Sequence, residues 1–191
     1  MAKYQINSID CWGSFSFENN SFCLSHLNAH EVLFIGNDGT EYRFIVSYGL
    51  HCFTKEGTDH NIPVDISDGR ETLPVCLERY EASKNIRKII ENLDAPSLRL
   101  YEVTHEKHFT ISSLNNITGE VEAYKVCLSF YKENRLLRIH VISAYFARTG
   151  EGSPAQPVRR KGETLFKVAK DLMRKAKRTS AGPKEVRNRH K

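Results

Sequence analysis

The chain has 191 residues, 28 Lys/Arg against 23 Asp/Glu and a formal net charge of +5, which suits one domain with an appendage better than two full domains. No run reaches the roughly 20 apolar residues of a membrane span, and the opening MAKYQINSID lacks the basic-then-apolar order of a secretory signal. Cys11, Cys23, Cys52, Cys76 and Cys127 include no CxxC pair, so the reading is a cytoplasmic protein with reduced thiols and no membrane partner.

The charge is unevenly spread. Residues 159–191 hold 13 Lys/Arg and three acids, Glu163, Asp171 and Glu185, whereas residues 1–158 carry an excess of acids. An acidic body with a basic end points to a polyanion, most often nucleic acid, as the partner of that end.

In chain order, CLSHLNAH places Cys23, His26 and His30 at C-x2-H-x3-H spacing, and Cys11 is a weak fourth candidate for a zinc set. Residues 31–53 then read as a hairpin around Asn37-Asp38-Gly39-Thr40. Its second strand ends in YGLHCFTK, where His51 and Cys52 are adjacent. Neighbours on a strand point to opposite faces, so Cys52 is read as packing and His51 as the group of interest. Residues 55–75, punctuated by Gly57, Pro63, Gly69 and Pro74, read as a long loop.

Tyr80, Ile86, Ile89, Ile90 and Leu93 recur at helical spacing, which predicts a helix over 77–93 ended by Asp94-Ala95-Pro96. Strands follow at 98–103 and 107–113, then a hairpin of 122–131 and 136–147. A turn centred on Glu133-Asn134 pairs Phe130 with Leu137, Leu128 with Ile139 and Val126 with Val141 on a buried face. It sets Ser129 against Arg138 and Cys127 against His140 on a polar one, near Lys125 and Tyr131. Residues 148–162 have linker composition, and Leu165, Phe166, Val168, Ala169, Leu172 and Met173 predict a basic amphipathic helix. The expected fold is α+β, a mainly antiparallel sheet with one central packing helix and a basic C-terminal helix. The expected division is a single domain over 1–150 followed by a linker and basic tail over 151–191.

No P-loop, GxGxxG, GxSxG or HExxH motif is present. The histidines supply the positive hypothesis, because RNA cleavage without metal needs a proton acceptor, a proton donor and cations at the phosphate. His51, His108, Arg138 and His140 are the catalytic candidates, with Tyr145 as accessory and His105 and Lys107 nearby. Lys125 and the run Arg159, Arg160, Lys161, Lys167, Lys170, Arg174, Lys175, Lys177 and Arg178 are the candidates for holding the RNA backbone.

The strand ending HVISAYFA, within residues 77–147, resembles the last strands of small ribonuclease toxins. That loose group includes barnase, EndoU-type enzymes, tRNA-cleaving colicins and RelE-like toxins. The resemblance implies a helix before an antiparallel sheet that cleaves RNA, with Ser143 or Tyr145 as late-strand hydroxyl and Arg138 or His140 as charged sheet residues. It also implies a neutralising protein partner. The combined expectation is a cofactor-free, metal-independent endoribonuclease working by histidine-assisted transphosphorylation. The alternatives are a noncatalytic nucleic-acid-binding or regulatory protein and, third, a zinc-stabilised interaction module.

Overall fold

Apolar–polar alternation over six stretches of the chain builds one twisted sheet. The computed structural model describes residues 10–103, 106–133, 135–147 and 161–175. The order is β1 (Ser14–Phe17), β2 (Asn20–Cys23), β3 (His30–Ile35), β4 (Glu41–His51), β5 (Asn61–Ser67), β6 (Thr72–Cys76), α1 (Leu77–Ser83), α2 (Ile86–Glu91), β7 (Tyr101–Val103), β8 (Glu106–Leu114), β9 (Val121–Glu133), β10 (Leu136–Phe146) and α3 (Leu165–Lys175). The fold class is α+β. The main sheet runs β3-β4-β10-β9-β8-β7, and β1-β2 and β5-β6 are separate hairpins. Every neighbouring pair in the main sheet is antiparallel except β4 with β10.

One face of the sheet is apolar. Val32, Phe34, Tyr42, Phe44, Val46, Ile139, Val141, Val126, Leu128 and Phe109 share a buried cluster with Ile86 and Ile90 of α2 and Leu165, Val168 and Ala169 of α3. Burying such side chains is worth roughly 1.5–3 kcal/mol each, so α3 is held to the body by the face its spacing predicts. The Phe166 ring lies 5.9 Å from that of Tyr42.

Three local expectations are corrected. Residues 55–75 are not one loop, because β5 and β6 pair within them, Asp65 with Pro74 and Ser67 with Thr72. Proline is tolerated in this isolated two-stranded ribbon, where each strand has a free edge. The helical segment over 77–93 is realised as α1 and α2, separated by Lys84 and Asn85. The Ser83 hydroxyl donates to the Tyr80 carbonyl at 2.6 Å and lies 2.7 Å from His26 Nε2, a side-chain competition that interrupts helices.

The β9–β10 register is shifted by two residues from the expected one. Glu133 pairs with Leu136, Phe130 with Ile139 and Leu128 with Val141. The turn holds only two residues, and Arg135 has φ +72°, the left-handed conformation that tight hairpins need. An even shift leaves the two faces unchanged and alters only which residues oppose each other.

Candidate functional site

The second face of the sheet carries the polar side chains. Three transverse rows cross it. The first sets Tyr131 beside Arg138 and the second sets Ser129 beside His140 and Ser47. The third runs Tyr101, His108, Cys127, Ser143, His51 across β7, β8, β9, β10 and β4. Thr110, Lys125 and Tyr145 extend the face beyond it. A bulge between Val141 and Ser143 keeps this arrangement in phase: Val141 and Ala144 are both buried while Ser143 and Tyr145 stay on the polar side.

His140 and Ser47 form the buried centre of the face. Ser47 Oγ lies 3.0 Å from His140 Nδ1. Burial, with Arg70 adding in the same direction and Asp68 opposing, pushes the His140 imidazole down to about 4. It is therefore neutral at pH 7. Burial and Lys125 lower His108 as well. His51 is more exposed and pairs with Glu71 at 2.9 Å, so the end of the β5–β6 hairpin stands against the floor at β4. Arg138 meets Glu133 at 3.1 Å, and its buried Nε has no hydrogen-bond partner among the described residues. Tyr145 lies under the Arg79 guanidinium, 5.3 Å from its ring centre.

The catalytic candidates share this face without converging. His108 and His51 are three strand steps apart, roughly 14 Å at about 4.8 Å per step. A general acid and base must each come within hydrogen-bond reach of the proton they move. His140, near pKa 4, is a weak base and a poor proton store near neutrality. Cys127, between His108 and Ser143, is no better placed as a nucleophile: burial pushes its thiol up, opposed by the Ser143 and Tyr145 hydroxyls. Cys52 packs as expected, fully buried with Sγ 3.5 Å from the Val141 carbonyl and its pKa raised to about 12.

The weak zinc candidates are not assembled. Cys23 is exposed beside Ser25, His26 contacts Ser83, His30 stacks on Tyr48 at 5.8 Å and Cys11 is exposed. Among the described residues no group of three or more His, Cys, Asp or Glu is placed to hold a metal ion.

The basic candidates divide. Lys167 pairs with Glu163 and Asp171, Lys170 with Asp38 at 3.1 Å, and Arg174 approaches Asp171 at 3.9 Å. Lys161 is exposed and Lys175 belongs to the last turn of α3. Arg159, Arg160, Lys177, Arg178 and His105 lie outside the described residues.

Sequence reasoning missed Ser47, Gly49 and Tyr101 as parts of the face. A Cβ on Gly49 would meet the Ile142 carbonyl oxygen at 2.9 Å and His140 Nε2 at 3.2 Å. A lone glycine inside a strand signals such a close approach.

Fold and face together define an α+β protein with α2 and α3 packed on one side of a mixed sheet, six-stranded among the described residues, and a polar floor on the other. The chain belongs to the YjaZ family, whose model matches residues 14–173. It is 29% identical over 131 residues to Protein YjaZ of Escherichia coli (strain K12), an alignment covering 64% of this chain and 72% of that protein. No solved structure matches. These findings overturn the resemblance to barnase, EndoU-type, colicin and RelE-like toxins, for nothing in them points to that group. HVISAYFA is a short strand pattern interrupted by the bulge at Ile142, and its strand runs parallel to β4. The expectation of a neutralising protein rested on the same resemblance. No helix among the described residues is long and apolar enough to cross a membrane.

Proposed function

We propose that this protein binds single-stranded RNA without cleaving it, on the polar face of the main sheet. The observation that carries the reading is a pair of tyrosine–cation neighbours. Tyr131 sits beside Arg138 and Tyr145 beside Lys125, six residues apart along β9, roughly 20 Å on one face. Aromatic rings supply stacking surface for bases, cations neutralise phosphates, and hydroxyls such as Ser129, Ser143 and Thr110 suit a ribose 2′-OH. The lowered pKa of His140 and the separation of His51 from His108 argue against the transphosphorylation alternative. Of the 13 Lys/Arg of residues 159–191, those other than the ion-paired Lys167, Lys170 and Arg174 add sequence-independent backbone affinity. Five free cysteines and an RNA partner fit a cytoplasmic location.

The test is fluorescence anisotropy with a labelled single-stranded RNA of about 15 nucleotides, in EDTA, followed by electrophoresis of the recovered RNA. Intact RNA and saturable binding are expected, with Tyr131→Ala and Lys125→Ala each weakening it about tenfold. Absence of binding, or binding untouched by both substitutions, would refute the reading. RNA cleavage lost in His140→Asn would return the enzyme hypothesis.

A further inference from the structure

The outer edge of the main sheet is half open. β9 flanks β8 along its length, but on the other side β7 pairs only with Glu106, Lys107 and His108. Phe109–Leu114 has no strand partner on that side among the described residues. Its sequence, FTISSL, holds no charge, proline or glycine, so it lacks every local device that usually blunts an exposed strand edge. Leu114 and its partner Val121 are both largely exposed at the far end.

Beside this edge lies a groove of about 830 Å³ between α2, residues 95–99 and β8. Ile89, Leu98, Phe109 and Ile111 make its apolar lining, Lys88 and Arg99 stand in it as cations, and no carboxylate of the described residues lines it. Neither cation has an ion-pair partner among the described residues. Among the described residues the Arg99 guanidinium donates to the backbone oxygens of Pro96 and Leu98.

We infer that the open half of β8 takes an extended acidic segment of another protein as an added strand. In strand addition the backbone supplies affinity, while pockets for alternate side chains supply selectivity. Here apolar side chains enter the groove and carboxylates from the same segment meet Lys88 and Arg99. A second copy of this chain fits less well. Its own FTISSL would bring no carboxylate to either cation.

The experiment uses the full chain and labelled peptides of roughly ten residues. One has a Val-rich centre with Glu toward both ends, so that apolar and acidic side chains share the groove-facing side, a second replaces Glu by Lys, and a third is the Val/Glu peptide N-methylated at every other amide. Binding of the first is expected to exceed that of the other two by about tenfold. The double variant Lys88→Glu/Arg99→Glu is expected to prefer the Val/Lys peptide, because both substitutions are at the groove's cations and leave the core untouched. The inference is overturned if the Val/Glu peptide shows no binding up to about 1 mM. It fails equally if N-methylation has no effect, or if charge reversal leaves the preference unmoved. A dimer of the chain that Thr110→Pro abolishes would assign the edge to a second copy and overturn it too.

Discussion

His140 is the residue whose chemistry departs furthest from its free form on the polar face. Its pKa is lowered to about 4, so between that value and the ordinary 6.5 the unfolded chain binds a proton that the folded chain refuses. Stability from this group is therefore complete above pH 6.5, is lost as pH falls toward 4 and levels off below that. The full span is about 3 kcal/mol. His26, His30 and His108 are lowered in the same direction, so the wild-type slope is a sum. A His140→Gln variant keeps those three and is expected to lose less stability between pH 7 and 4.5 than the wild type, read by urea unfolding at each pH. Equal losses would mean that His140 protonates freely in the fold. Gly49 sits against the same ring. Gly49→Ala pushes a methyl into the Ile142 carbonyl of the bulge, and a cost of about 1–3 kcal/mol is expected. An unchanged melting temperature would show that the bulge yields.

Among the elements, those with local signals were legible. The Asp38-Gly39 turn was placed correctly, since Ile35 pairs with Glu41 across it and Gly39 has φ +75°. The faces of β9 and β10 followed from period-two alternation, although the register did not: alternation is blind to a shift of two. The bulge at Ile142 and the β5–β6 hairpin were hidden for a different reason. Bulges disturb only one step of a pattern, and Pro63 and Pro74 mask strands that tolerate them. The amphipathic spacing of α3 was plain, but its partners were not, because Lys170–Asp38 joins residues 132 apart. That exposed pair contributes little, so the apolar stripe must hold the helix. Leu165→Ala is accordingly expected to cost about 2–4 kcal/mol in chemical denaturation, whereas Lys170→Ala falls within about 0.5 kcal/mol of wild type. The reverse order would place the anchoring in the ion pairs.

At the scale of the whole molecule, the parallel pairing of β4 with β10 joins the β3–β4 hairpin to the rest of the sheet. It joins His140 to Ser47 and Ser143 to His51. No local pattern announces a pairing across some 90 residues, which is why the candidate residues could be named from sequence but their meeting could not. The same scale governs the charge. Within α3, Lys167 is committed to Glu163 and Asp171 of its own segment and Lys170 to Asp38 of the body, so much of the helix's positive charge is already paired. Residues 176–191 carry six more Lys/Arg and a single acid, and they lie beyond the family-matched segment, which ends at 173. Removing them leaves the chain formally neutral. If they serve the polyanion rather than the fold, the truncated protein keeps its melting temperature while its RNA affinity falls. The slope of log affinity against log salt then flattens by roughly 0.7 for each phosphate that the tail no longer neutralises. An unchanged slope would assign the phosphate binding to Lys125 and Arg138 on the sheet, and a lowered melting temperature would make the tail part of the fold.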